Sequence, residues 1–275
     1  MLKKPLLTII MPVYNTAAYL GRAFEALLKQ EETNFKLIVV DDGSTDASVA
    51  IAKSYQSRFP YFQLIQKKNG GPSDARNVGM QYLDTPYFTF HDGDDWVSQG
   101  YTAFFLRAFK EHPDVDLVSC GYWLSYPNKE EKEVGHFENG EITTAASYLK
   151  LTDVFGSSMK GYCWNKAYKT AVVKRHHLTF DCDISLLEDQ IFNVNYVTVA
   201  NGVYYTQKPY YHYWQRPGSI IHQHNFKKVK DNFRGNYRVW QQIISSLLEK
   251  RQEATQRRLL RKKMAQTSRF SEERK

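Results

Sequence analysis

The stretch that decides the fold is Tyr87-Phe-Thr-Phe-His-Asp-Gly-Asp-Asp-Trp96, in which an apolar run, Tyr87 to Phe90, reads as a buried strand and is followed at once by Asp92, Asp94 and Asp95. Three carboxylates so close together repel one another unless a cation sits among them. Carboxylates one residue apart at a strand end can converge on a divalent ion, and Mg²⁺ or Mn²⁺ held by few protein oxygens keeps positions open for substrate phosphates. Taken alone, the same residues also read as an Asp-Gly turn with solvated acids. Their neighbours in the chain favour the first reading.

Upstream, strand-like and helix-like segments alternate: Leu6 to Val13 then Ala18 to Gln30, Phe35 to Val40 then Ala47 to Phe59, Tyr61 to Gln66 then Asp74 to Tyr82. This rhythm predicts an α/β fold, a mostly parallel central sheet flanked by helices. Ligands of such sheets bind at the carboxyl ends of the strands. Pro12-Val-Tyr-Asn15, Asp41-Asp-Gly-Ser44, Gly70-Gly-Pro72 and Asp92-Gly-Asp94 all fall just after strands, so four chemically rich loops share one edge.

Downstream, the pattern predicts a helix near Gln99 to Glu111, a strand near Val115 to Cys120 and a polar hairpin or surface insertion from Ser125 to Gly140. Helices are expected around Thr144 to Leu151, Asn165 to Lys174 and Asp189 to Val199, and the aromatic stretch Val203 to Trp214 reads as a strand pair. From Val229 onward Val239, Trp240, Ile243, Ile244, Leu247 and Leu248 recur at helical spacing, and Leu259, Leu260 and Met264 continue it among arginines and lysines.

The 275 residues are 42% hydrophobic and 15% aromatic, enough for a substantial core in one large domain or one domain with an appendage. No run approaches the roughly 20 apolar residues of a membrane span, and the N-terminus enters a short strand-like segment without a signal-peptide pattern. The expected location is cytoplasmic. Cys120, Cys163 and Cys182 are odd in number and lack a C-x-x-C pair, so buried thiols are expected in place of disulfides or zinc. Of the net charge of +8, residues 227–275 carry 15 Lys and Arg against 5 Asp and Glu, which leaves the rest near −2. A near-neutral body with a basic end suggests a tail for an anionic surface and no nucleic-acid-binding face.

Four motifs in order, Thr8-Ile-Ile-Met-Pro-Val-Tyr-Asn15, Ile38-Val-Val-Asp-Asp-Gly-Ser-Thr-Asp46, Gly70-Gly-Pro-Ser-Asp-Ala-Arg-Asn-Val-Gly79 and Phe90-His-Asp-Gly-Asp-Asp-Trp96, strongly resemble the family-2 inverting glycosyltransferases. Lys160-Gly-Tyr-Cys-Trp-Asn-Lys166, Leu187-Glu-Asp-Gln-Ile-Phe192 and Tyr211-His-Tyr-Trp-Gln-Arg-Pro-Gly-Ser219 resemble the acceptor-side motifs of bacterial polysaccharide-assembling members. The resemblance implies a glycosyltransferase A fold with a catalytic domain over 1–226, its nucleotide-sugar half 1–120 and acceptor half 121–226. Residues 227–275 follow as a basic amphipathic helical tail.

The resemblance also implies the site. Asp94 would be the principal ligand of Mn²⁺ or Mg²⁺, with Asp92 on the metal or the donor ribose and Asp95 a weaker candidate. Asp42 would accept the uracil imide of a UDP-sugar, with Pro12 and Tyr14 lining the base pocket. Read bottom-up, Asp41 or Asp42 could equally cap the helix that begins near Ser44, with Asp46 adding charge at its N-terminus. Arg76 could meet the diphosphate or hold the acidic cluster as an ion pair, and Arg216 is a second diphosphate candidate. His212, His222 and His224 are weaker metal or phosphate candidates.

In the family the base is the Asp of an E-D pair at a helix start, which here is Asp189. It would take the proton of the acceptor hydroxyl. Glu188 and Trp164 are candidates for contact with donor or acceptor sugar, although Trp164 in an apolar-rich segment also reads as core. A metal-dependent single-sugar transfer to a hydroxyl of a glycan or lipid-linked acceptor, in surface polysaccharide synthesis, is the function implied. The tail could lie on the anionic inner face of a membrane, join copies into a homo-oligomer, or be a solvated end. The competing readings are a catalytically silent glycan- or partner-binding relative and a sugar nucleotidyltransferase. The latter lacks its glycine-rich first loop here.

Overall fold

The computed structural model describes residues 4–127, 129–134, 139–151, 161–184 and 186–215, with five isolated helical positions, 237, 241, 244, 245 and 248, in the tail. The expected C-terminal helical extension otherwise lies outside the described residues, as do Arg216, His222 and His224.

The elements run β1 (Leu7–Val13), α1 (Ala17–Leu28), β2 (Phe35–Asp41), α2 (Ser48–Tyr55), β3 (Tyr61–Gln66), α3 (Pro72–Gln81), β4 (Tyr87–Phe90), β5 (Trp96–Val97) and α4 (Tyr101–Glu111). They continue β6 (Leu117–Tyr126), β7 (Lys129–Val134), β8 (Gly140–Thr143), α5 (Thr144–Leu151), β9 (Lys166–Lys169), α6 (Thr170–His176), α7 (Glu188–Val199) and β10 (Gly202–Trp214). The sheet order is β3-β2-β1-β4-β9-β6-β10-β5, with β7 on β6 and β8 on β10. β3, β2, β1 and β4 are parallel, and β9 inserts antiparallel to both β4 and β6, so β6 and the β10 parallel to it share the direction of the first four.

β1 lies inside the sheet between β2 and β4 and is apolar at nearly every position because both its faces are covered. Leu7, Ile9 and Met11 face one core with Leu20 and Phe24 of α1. Ile10 faces the other, with Phe88, Phe90 and the α7 residues Phe192 and Tyr196. Successive side chains of a strand point to opposite faces, so one sequence serves both layers. α3 begins with Pro72 at its first turn, where the missing N–H costs nothing, and crosses β1 at Gly79. A Cβ there would stand 2.4 Å from Ile10 Cγ2, so the glycine sets how close α3 comes to the sheet.

Two expected elements differ. The segment expected to be a helix over Asn165 to Lys174 is strand β9 followed by α6, because Lys166–Lys169 fills the gap between β4 and β6 and the ladder outweighs local helix preference. The expected strand pair Val203 to Trp214 is one 13-residue strand, with register shifts on either side of Pro209, which has no N–H for the ladder. Among the cysteines, Cys120 and Cys163 are buried as expected, whereas Cys182 is exposed.

Candidate active site

The loops after β1 and β2 are stitched together by the short polar residues of the D-D-G-S-T-D segment. Asn15, in the left-handed region at φ 51, receives Thr45 N–H on Oδ1 at 2.8 Å, and its own N–H reaches Ser44 Oγ at 3.0 Å. Asp46 accepts the first amides of two helices, Ala17 N–H of α1 at 3.0 Å and Ser48 N–H of α2 at 2.9 Å. Burial works against its charge, but the Ser48 and Ala17 hydrogen bonds prevail and hold its carboxyl below the usual range. The capping acid of α2 is therefore Asp46, while Asp41 turns to Ser44 N–H.

Asp42 is buried and moulds the next loop. Its Oδ1 accepts Lys67 Nζ at 2.6 Å and Gly70 N–H at 2.9 Å, and its Oδ2 accepts Gly71 N–H at 2.7 Å. Gly71 has φ +90, a conformation that L side chains rarely adopt. Lys67 also pairs with Asp74 at 2.5 Å. Beside this loop Tyr14 is 49% exposed and Pro12 is half-buried, so the three expected base-pocket residues lie at the ends of neighbouring strands β1 and β2.

The acidic loop after β4 divides its labour. Asp95 is 1% exposed and faces inward, accepting Tyr211 O–H at 2.8 Å and Trp214 N–H at 2.8 Å from β10. Burial, with Asp94 and Asp92 close by, pushes its carboxyl well above the usual range. Asp95 is thus an anchor for β10, a correction to its candidacy as a metal ligand. Asp92 and Asp94 remain partly exposed. Tyr211 Oη also accepts Asp92 N–H at 3.1 Å, which fixes the loop backbone from below. Gly93 permits the close approach of this loop to the end of β1, where an added Cβ would stand 3.2 Å from Val13 Cγ2. His91 is fully buried and drawn down to about 4 by burial.

Arg22, a residue that sequence reasoning missed, reaches this loop from α1. Its Nη2 donates to the Asp94 carbonyl at 2.9 Å while its guanidinium lies 3.8 Å from the Trp96 ring centroid and 4.6 Å from that of Trp214. Two indole faces and a carbonyl hold one cation, and that cation pins the backbone of Asp94.

Arg76, 4% exposed on α3, joins the two halves of the site. Nη2 meets Asp92 Oδ1 at 3.1 Å, and Nη1 lies 2.9 Å from Asp189 Oδ1 and 3.5 Å from Glu188 Oε1. Burial opposes its charge, yet Asp189 and the neighbouring Asp92 and Glu188 raise its pKa well above the ordinary value. Asp189 also accepts Cys163 N–H on Oδ2 at 3.2 Å. Burial lifts the Asp189 carboxyl above its ordinary range, with Arg76 pulling it down and Asp92 pushing it up. Glu188 is lifted by burial and by Asp189 to about 7. Both acids open α7, whose N-cap Leu187 is held in the left-handed region at φ 68.

Two other candidates are spoken for. Trp164 is 2% exposed, stacked between Tyr211 at 4.3 Å and Tyr162 at 4.7 Å, so its ring faces are covered by protein and it cannot lie under a sugar. His212 stacks on Trp96 and engages both ring nitrogens, Nε2 with Ser98 Oγ at 3.0 Å and Nδ1 with Glu131 at 2.9 Å, which leaves neither for a metal or phosphate.

Among the described residues no three His, Cys, Asp or Glu are gathered into a ready-made metal cage. The partly exposed carboxylates Asp92 and Asp94 are hard oxygen donors, two in number. That donor set fits Mg²⁺ or Mn²⁺ bound with most of its positions left to water and to ligand oxygens.

The mostly parallel α/β sheet with acidic loops along one edge is a glycosyltransferase A fold, as the family match and the solved structures it resembles show. The chain belongs to glycosyl transferase family 2, whose sequence profile matches residues 8–169. It is 29% identical to EpsH of Bacillus subtilis (strain 168) over 234 residues, covering 82% of this chain and 65% of EpsH. It is 31% identical over 219 residues to EpsJ of the same organism, named an uncharacterized glycosyltransferase, covering 78% of this chain and 63% of EpsJ. The chain thus spans slightly less than two thirds of these relatives. Staphylococcus aureus TarS 1–349 in complex with UDP-GlcNAc superposes with a TM-score of 0.72 at 24% identity, covering 90% of this chain and 67% of that one, a likeness of fold.

Proposed function

We propose that the chain is a metal-dependent, inverting glycosyltransferase that moves a single sugar from a UDP-sugar to a hydroxyl of a glycan or lipid-linked acceptor in surface polysaccharide synthesis. The observation that carries the reading is Arg76, one buried guanidinium touching Asp92 of the donor-side loop and Asp189 of the acceptor-side helix. Transfer needs leaving-group stabilisation and a base on opposite sides of one sugar, held in a fixed relation, and this bridge supplies such a relation.

On the donor side, Pro12 and Tyr14 flank the nucleobase and Asp42 reads its imide. Asp42 Oδ2 accepts Gly71 N–H, and a carboxylate oxygen with two lone pairs retains acceptor capacity for a further N–H. Asp94 and Asp92 would hold Mg²⁺ or Mn²⁺, which when bound would supply Lewis acidity to the departing diphosphate. Arg22 keeps the Asp94 backbone in place, and Arg216 offers the diphosphate a second positive charge. On the acceptor side, Asp189 takes the proton of the attacking hydroxyl while Arg76 favours its ionised form, and Glu188 lies beside it for contact with a sugar hydroxyl.

The choice of UDP draws support from TarS of Staphylococcus aureus, named a poly(ribitol-phosphate) β-N-acetylglucosaminyltransferase, and from its UDP-GlcNAc complex. A surface polymer as product draws support from relatives named for teichoic acid synthesis, among them GgaB of Bacillus subtilis at 40% identity over 116 residues. The basic tail suits a cytoplasmic enzyme resting on an anionic membrane where a lipid-linked acceptor is presented. No described helix is long and apolar enough to cross a membrane.

The test is UDP release from a panel of UDP-sugars with glycan and lipid-linked acceptors, comparing wild type with Asp189→Asn. The substitution is expected to lower kcat by roughly 10²- to 10⁴-fold, the usual worth of a general base, while donor binding persists. Wild-type turnover in the variant would remove Asp189 from the base role.

A further inference from the structure

Beneath Asp189 lies a turn, residues 161–166, wedged between α7 and β6. Gly161 presses on α7 so closely that an added Cβ would stand 2.6 Å from Gln190 Cβ. Asn193 of α7, fully buried, donates through Nδ2 to the Gly161 and Tyr162 carbonyls at 2.7 and 3.1 Å, and its Oδ1 accepts Tyr168 O–H at 2.7 Å. On the β6 side Asn165 Nδ2 donates to the Cys120 carbonyl at 2.8 Å, and Cys120 N–H returns to the Asn165 carbonyl at 3.0 Å. Inside the turn sits Lys166, with no exposed surface, its Nζ donating to the Tyr162 carbonyl at 2.5 Å and to Asn165 Oδ1 at 2.8 Å. The product of this network is one oriented amide: Cys163 N–H, aimed at Asp189 Oδ2 from 3.2 Å.

A buried ammonium is costly, and an aliphatic side chain of the same length would fill the space without that cost. What the cation does here is fold the turn around itself through Tyr162 and Asn165, near enough to Asp189 for that carboxylate to help hold up its charge. We infer that Lys166 is a positioning residue for the Asp189 base, acting through the turn it anchors and the Cys163 amide; the inference rests on the reading of Asp189 proposed above. The groups that bear on Asp189 are Arg76, Asp92, Glu188, Cys163, Lys166 and Tyr168. Burial draws the Lys166 ammonium down to about 7, with Cys163, Asp189 and Cys120 holding it up, so it is charged throughout the acidic range in which a carboxyl titrates.

The experiment compares wild type, Lys166→Met, Gly161→Ala and Asp189→Asn for kcat, donor KM, UDP affinity by calorimetry, thermal unfolding and the pH profile of kcat/KM. Lys166→Met keeps an unbranched side chain one atom shorter and removes its charge and donors. It is expected to lower kcat roughly 10- to 100-fold through misplacement of the base, with UDP affinity and donor KM unchanged. Its acid limb is expected to move up by about one pH unit, because a carboxyl that loses a facing cation and an amide donor binds its proton more tightly. Gly161→Ala, which retains Lys166 and pushes the turn off α7, is expected to lower kcat in the same way and carries the test if the methionine variant does not fold. Wild-type kcat and an unmoved acid limb in a folded Lys166→Met, or wild-type kcat in Gly161→Ala, with Asp189→Asn inactive, would overturn the inference and leave the base in place. Full turnover by Asp189→Asn would overturn the base assignment itself and the inference with it.

Discussion

Arg76 faces three carboxylates with one charge, and removing that charge has consequences on both sides of the site. In Arg76→Gln, Asp189 would feel burial and Asp92 without the Arg76 charge to oppose them, so its pKa rises and the proposed base is protonated at pH values where the wild type is ionised. The expected outcome is an acid limb of kcat/KM displaced to higher pH. Breaking a buried ion network also leaves uncompensated charge, and stability should fall on the order of 3 kcal/mol, read as a lower Tm. An unchanged acid limb would show that Arg76 does not set the charge of Asp189. The chemistry-bearing acids could be named from the chain because each lies in a short motif whose neighbours are local. For Trp164 the core reading offered beside the sugar contact is the one the structure shows, and what the chain could not disclose is its cover, since Tyr211 of β10 lies outside any local window. Arg22 was equally hidden: its hydrogen-bond partner Asp94 lies 72 residues downstream, and on α1 it reads as an ordinary surface charge.

At the scale of elements, the site depends on strands and helices that meet with little tolerance. α3 carries Arg76 and crosses β1 at Gly79, where a methyl group would collide with Ile10 at 2.4 Å. Gly79→Ala is therefore expected to destabilise the fold by about 1–3 kcal/mol, the usual range for overpacking, and Ile10→Leu in the same chain, which removes the clashing Cγ2, should recover part of the loss. Thermal unfolding of the single and double variants checks this, and equal Tm values for Gly79→Ala and wild type would mean that α3 does not rest on β1 as described. The first βαβ units were legible because each strand ends in a turn signal and each helix carries its own apolar stripe. The β9 and β10 segments were not, for a physical reason: Lys166–Lys169 becomes a strand only because two distant strands, β4 and β6, leave a gap for it. In β10 the irregularity around Pro209 is a bulge within one continuous strand, where composition alone suggested a break between two.

At the scale of the whole molecule, two stretches of chain share one sheet and one site. The first supplies four loops on the sheet edge, and the second supplies α7 with its two acids, the turn beneath them, and a long strand whose Tyr211 and Trp214 hold the acidic loop from the far side. A ligand bound at Asp92 and Asp94 would thus be sensed by α1 through Arg22, by β10 through Asp95, and by α7 through Arg76. The fold class, a mostly parallel sheet with ligand loops on one edge, follows from the alternation of the first half. What the chain alone did not disclose is how its second half returns to that edge, which is decided by long-range pairing of β9, β6 and β10. The proposed function requires this edge to bind a nucleotide through a metal held by the acidic loop. The measurement that tests it most directly is calorimetric titration of the full chain with UDP, GDP and dTDP, with Mn²⁺ and with a chelator, for wild type and Asp94→Ala. UDP binding that requires Mn²⁺, exceeds that of the other two nucleotides and is lost in Asp94→Ala is the predicted result; wild type that binds none of the three under either condition would contradict it.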